Sequence, residues 1–182
     1  KNSQLLEFLV ECETARGYRE GLEKFGQKNL PISIHSPGHI AATDEEAREL
    51  VWPYYEKFID RLGRERGWGP ASKGHYIQEV EHGSLYVGSP DSVAKKIAHA
   101  ITSVGASRFD MKYDNGPVPH VHLMKSIELY ATEVVPRVRK LLAEEQVNVF
   151  DSAFGKSPGG WGQAAQPTVA LGDGRGTGSG GG

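Results

Sequence analysis

Apolar residues recur at helical spacing from Leu5 to Gln27, first at Leu5, Phe8, Leu9, Cys12 and Ala15, then at Tyr18, Leu22 and Phe25. This predicts an amphipathic helix, weakened in its middle by Gly17 and Gly21. The period then changes. From Leu30 to Ile34, Ile32 and Ile34 alternate with Ser33 and His35, which predicts a strand opened by Pro31 and broken at Ser36-Pro37-Gly38, with His39 to Ala42 continuing it. Thr43-Asp44-Glu45-Glu46 is a helix start. Thr43 caps, Glu46 stands at the capping-box position, and the acids favour the positive helix end. The helix carries Ala47, Leu50, Val51, Tyr54, Tyr55, Phe58, Ile59 and Leu62 on one side, and Pro53 should kink or split it.

Gly63 to Gly74 reads as a polar, glycine-rich connection, and Gln78 to His82 has no decisive pattern. Leu85-Tyr86-Val87 is a short apolar run. Ser89 and Pro90 then fit the cap and first position of a helix burying Val93, Ile97, Ala100, Ile101 and Val104, with Gly105 as its stop. Arg108 to Tyr113 predicts a strand with Phe109, Met111 and Tyr113 on one side and Asp110 and Lys112 on the other. A last helix, about Pro119 to Glu145, keeps Leu123, Met124, Ile127, Tyr130, Val134, Val138, Leu141 and Leu142 in phase, with a bend at Pro136.

Strands separated by helices build parallel sheets, because parallel strands need a crossover. Two good strands cannot bury long helices on both sides, so the expected fold is a piece of a larger α/β architecture. From Ser152 onward the chain is mostly Gly, Ser, Ala, Pro and Gln, a composition too poor in apolar residues to offset its ordering entropy. The expected organisation is a folded unit over 1–146 and a flexible tail over 147–182.

Composition narrows the function classes. A formal net charge of −2 over 182 residues gives no basic surplus for nucleic acid, and no basic amphipathic stretch points to a membrane surface. No apolar run approaches the ~20 residues of a membrane span. Glu7, Glu11 and Glu13 interrupt any signal-peptide pattern at the start. The single cysteine, Cys12, excludes an intrachain disulfide and suits a reducing compartment such as the cytoplasm.

Two places carry candidate chemistry. Gly88-Ser89 opens a helix, where free backbone N–H groups and the dipole suit a phosphate; a purely structural cap explains the turn equally well. Tyr113-Asp114-Asn115-Gly116 ends a parallel strand, at the edge where α/β sheets bind ligands; a turn that needs Asn-Gly for backbone reasons is the even alternative. His35 and His39 flank Ser36-Pro37-Gly38 near a strand end. Neither they nor His120 and His122 have metal-ligand spacing, so no metal site is expected. Arg64 to Trp68 interleaves with acids and reads as a solvated helix face.

Four segments, taken in order, resemble the luciferase-like flavin-dependent monooxygenases: Ile40 to Ala47, Leu85 to Ile97, Arg108 to Tyr113, and Leu123 to Tyr130 with Glu133 to Val138 after it. The Gly-Ser-Pro-x-x-Val-Ala helix start, the closing strand and the final Glu-x-x-Pro-x-Val helix carry the likeness, which covers roughly Tyr18 to Glu145. It implies the C-terminal part of a (β/α)8 barrel, with Leu30 to Ala42 as the seventh strand and Arg108 to Tyr113 as the eighth. It implies reduced flavin mononucleotide (FMN), or in some branches a deazaflavin, O2 and a small organic substrate. A separate flavin reductase and a homo-oligomer are the partners to expect. Gly88 and Ser89 would serve the cofactor, and His35, Tyr113 and Asn115 the substrate. A full barrel needs ~250 residues, so little turnover is expected from this chain alone. The reading from another class is a non-catalytic α/β module that associates through exposed sheet edges.

Overall fold

The computed structural model describes residues 3–28, 30–113 and 116–154, with side chains for 13–28, 30–113 and 116–145. The chain divides into two units, Lys1–Glu145 and Gln146–Gly182. The first begins with helix α1, Ser3–Lys24, followed by strand β1, Ser33–Ile40, and helix α2, Asp44–Arg66. Helix α3, Lys73–Glu81, then leads through strand β2, Tyr86–Gly88, into helix α4, Pro90–Val104, and strand β3, Arg108–Lys112. Helix α5, His120–Leu129, passes through a π-helical turn, Tyr130–Val134, into helix α6, Val135–Phe154. The sheet is three-stranded and parallel, in the order β2-β1-β3. The expected α/β class is therefore present, with α4 carrying the chain from β2 on one side of β1 to β3 on the other.

β1 is not broken at Ser36-Pro37-Gly38 as its sequence suggests. Pro37 pairs with Lys112, the last residue of β3, and Gly38 pairs with Tyr86, the first residue of β2. The missing proline N–H thus falls where one neighbour hands over to the other, so the strand runs through it. Beyond the strand ends, Ser107 N–H donates to the Ile32 carbonyl at 2.9 Å, and Ala41 N–H donates to the Gly88 carbonyl at 3.2 Å. The short apolar run at residues 85–87, not counted from sequence among the two good strands, contributes Tyr86 and Val87 to a third, Tyr86–Gly88.

Two apolar clusters hold the sheet. Ile40, Tyr86, Val93, Ile97 and Val134 centre the first, with Phe109 and Met111 packed against it. Tyr86 and Phe109 meet there in a tilted ring pair with centroids 4.8 Å apart. Ala47, Val51, Tyr76, Val80 and Val87 form the second. Tyr76 is fully buried, its ring contacts Trp52 and Tyr55, and its hydroxyl donates to the Arg48 carbonyl at 3.1 Å.

Three helices depart from expectation. α2 continues unbroken through Pro53. α3 forms in the stretch without a decisive pattern: Ser72 caps it, and Tyr76 and Val80, one turn apart, are buried against α2. The terminal helix is interrupted by the π-helical turn just before Pro136, and the Val135 N–H reaches the Tyr130 carbonyl. Pro136 has no N–H to offer to the preceding turn, so the backbone adopts the wider spacing there. The helical backbone then continues to Phe154, beyond the expected end at Glu145. α4 follows its sequence signals closely, with Ser89 as N-cap, Pro90 as first residue and Gly105, φ 64°, as C-cap. The Arg19 guanidinium caps the same C-terminus through the Val104 and Gly105 carbonyls. The expected flexible tail over 147–182 lies outside the described residues apart from the helical backbone to Phe154.

Candidate functional site at the carboxyl edge of the sheet

Because all three strands are parallel, their carboxyl ends open on one edge. Gly88 at the end of β2 is level with Ile40, and Lys112 at the end of β3 is level with Pro37. The turns that leave this edge start α2 at Asp44 and α4 at Pro90. Gly88 and Ser89 therefore lie on the edge toward which β3 and Tyr113 also run. Asn115 lies outside the described residues.

The Gly88-Ser89 turn already holds a negative charge. One Asp44 carboxylate oxygen accepts from the Ser89 backbone N–H at 2.6 Å, and the other accepts from the Ser92 hydroxyl at 2.8 Å. The Ser89 hydroxyl in turn accepts from the Ser92 N–H at 3.3 Å. Burial raises the Asp44 pKa, but the hydrogen bonds from Ser89 and Ser92 and the charge of Arg48 outweigh it and leave the carboxyl below its ordinary value. A phosphate at this turn would compete with Asp44 for the same donors. Sequence reasoning placed this acid at the positive end of α2 but did not find its bond across to α4.

His35 is not at a strand end. It is the third residue of β1, exposed and paired with Asp110, and it lines an open cavity of about 570 Å³ with Thr14, Tyr18 and Ile32. The histidine at the carboxyl end is His39, which is buried at 3% exposure. Burial and the nearby His122 draw its pKa down to about 4, with Glu46 opposing. His39 is therefore a neutral imidazole near pH 7, able to donate from one nitrogen and accept at the other. Its signal in the sequence was a polar residue immediately before Ile40-Ala41-Ala42.

Tyr113 is half-buried. Its hydroxyl is shielded from solvent and makes no hydrogen bond of good geometry among the described residues, although the Ser126 hydroxyl lies close enough to act on it. Burial pushes its pKa up to about 12, helped by Tyr130, while Ser126 acts against the shift. Ser126 is fully buried on α5, and its hydroxyl oxygen accepts the Ile40 N–H at 2.8 Å. Thus α5 is tied to the last residue of β1; Tyr113 continues the Phe109 and Met111 face of β3 beside Ser126 and Tyr130, whereas His39 alternates with Ile40 onto the opposite face of β1. The edge thus carries two neutral hydrogen-bonding groups, His39 and Tyr113. Among the described residues no group of three His, Cys, Asp or Glu side chains could hold a metal ion, and no helix is long and apolar enough to cross a membrane.

No protein-family model and no curated protein matches the chain. Among solved structures it is similar to monooxygenase RslO1 from Streptomyces bottropensis, with a TM-score of 0.60 and 21% identity over 71% of this chain and 38% of that one. It is also similar to the oxygenating constituent of 3,6-diketocamphane monooxygenase from Pseudomonas putida, a type II Baeyer-Villiger monooxygenase in complex with FMN. There the TM-score is 0.52 and the identity 22%, over 72% of this chain and 41% of that one. The fold is part of a (β/α)8 barrel like those of these two monooxygenases. The chain spans about two-fifths of the length of these two structures. In (β/α)8 barrels the carboxyl edge of the strands is the reactive face. His39, Tyr113 and the Asp44–Ser89 link all stand at that edge.

Proposed function

We propose that this chain forms part of a flavin-dependent monooxygenase, acting with reduced FMN and O2 on a small organic substrate. The observation that carries the reading is the parallel β2-β1-β3 unit, whose turns and strand ends meet at one edge in a fold shared with two monooxygenases. The flavin would supply the oxygen chemistry, and the protein position and electrostatics. Tyr113 would offer a hydroxyl donor to the bound substrate, and Asn115 would be a second substrate contact. His39 would serve as a neutral polar wall. His35, lower on β1, would touch only a ligand that reaches into the sheet. Gly88 and Ser89 would contact the flavin phosphate if Asp44 gives up the Ser89 N–H; otherwise they hold the wall of the site. A separate flavin reductase would deliver reduced flavin, and a deazaflavin is the alternative cofactor.

The test is a flavin titration of the protein expressed from its complete reading frame, followed by O2 uptake with chemically reduced FMN. Stoichiometric binding and substrate-dependent O2 consumption are expected. A colourless protein that binds neither FMN nor a deazaflavin would overturn the reading. It would favour the alternative of a non-catalytic α/β module that associates through exposed sheet edges.

A further inference from the structure

A second concave site lies between α2, the end of α3, β2 and the flank of α4, with a volume of about 490 Å³, and it reaches Ser92 of the Asp44–Ser89 turn. Three cations, Arg48, Lys95 and Lys96, line it against one carboxylate, Glu81. Lys96 donates to the carbonyls of Glu79, Val80 and Leu85 at 3.2, 2.9 and 2.9 Å, so its ammonium protons are committed and it contributes charge alone. Arg48 is the group with spare hydrogen-bonding capacity. Its contact with Glu81 is long, 3.4 Å, and its buried Nε–H has no acceptor. Lys95 pairs with the exposed Asp91 at 2.7 Å, an i,i+4 contact that a stronger anion can displace at little cost.

The rest of the lining sets apolar Val80, Tyr86, Val87 and Val93 beside polar His82 and Ser92. Adjacent N–H groups of a guanidinium present a fork that matches two oxygens of a phosphate. The apolar wall and the volume exceed what a bare ion needs and fit a small organic body attached to it. We propose that this pocket binds a small phosphomonoester, with Arg48 taking the phosphate oxygens, Lys95 and Lys96 supplying the field and the valines covering the organic part. The inference does not rest on flavin binding at the strand ends.

His99 also lines the pocket and gives a local reporter. Its imidazole resonance is followed by NMR while glycerol phosphate, inorganic phosphate, glycerol or chloride is added at constant ionic strength. Saturable shifts with glycerol phosphate, weaker ones with inorganic phosphate and none with glycerol or chloride are expected. Arg48→Gln should weaken the glycerol phosphate response about tenfold or more, as expected for the loss of a charge-assisted hydrogen bond. Lys125→Gln, on α5, should leave it unchanged. If Arg48→Gln does not fold by circular dichroism, Lys95→Gln replaces it, with a smaller loss expected. Inorganic phosphate binding as well as glycerol phosphate would point to a free-phosphate site and overturn the ester assignment. Equal responses to chloride, or titrations unchanged in the Arg48 or the substitute Lys95 variant, would overturn the site itself.

Discussion

The Asp44 carboxylate and the Ser89 backbone N–H, 45 positions apart in sequence, meet at 2.6 Å and join the starts of α2 and α4. One acid thus serves two helix N-termini, its own through the first-turn position and that of α4 through Ser89 and Ser92. Asp44→Ala should lower stability by about 1–2 kcal/mol through loss of charge-assisted bonds, with Asp44→Asn intermediate. Urea denaturation at neutral pH measures it. Because the folded carboxyl sits below its ordinary 3.8, its contribution is complete above that pH and fades as pH falls through the lower folded value. Identical midpoints for the wild type and the alanine variant would remove Asp44 from this role.

His39 sets a second pH dependence. Its pKa drops from 6.5 to about 4 in the folded state, so between those values the unfolded chain takes up a proton that the folded chain refuses. Its contribution is complete above pH 6.5 and is lost as pH falls toward 4. In His39→Gln, the decline of the denaturation midpoint between pH 6.5 and 4.5 should be shallower than in the wild type. Parallel curves would show that His39 does not titrate this way.

Gly38 and Gly88 separate backbone crowding from side-chain crowding. A Cβ at Gly38 would lie 2.6 Å from the Tyr86 carbonyl oxygen and 3.0 Å from the Met111 thioether, whereas at Gly88 the tight contact is the Asp44 carboxylate oxygen at 2.8 Å. The carbonyl belongs to the neighbouring strand and cannot swing aside, while the carboxylate can. Gly38→Ala should therefore cost about 1–3 kcal/mol and more than Gly88→Ala in thermal melts. The reverse order would refute the argument.

Ser126 is a test of the α5 tie. Its hydroxyl is the acceptor for the buried Ile40 N–H. Ser126→Ala leaves that donor unpaired and should cost about 1–3 kcal/mol, with faster hydrogen exchange at the Ile40 amide. Unchanged exchange would mean that the amide finds another acceptor.

Local signals identified most of the elements, because capping and periodicity act within a few residues. The Thr43 start of α2, the Ser89-Pro90 start and Gly105 stop of α4, and the alternation in β3 were all legible. The likeness of fold to luciferase-like monooxygenases was legible in the order of short motifs, although no single segment carried it.

What tertiary structure alone decided were matters of partnership. Pro37 remains inside a strand because the neighbours of β1 change there, and a chain cannot announce where its neighbours begin and end. α3 is held by burial of Tyr76 and Val80 against α2, a stabilisation that local propensity does not contain. His39 rather than His35 reaches the carboxyl end because the strand continues five residues past His35, to Ile40. The Gly88-Ser89 turn, read from sequence as free donors, meets Asp44 because folding brings two distant helix starts to one edge. Electrostatic and hydrogen-bonding energies depend on distance through space, whereas sequence patterns record only distance along the chain.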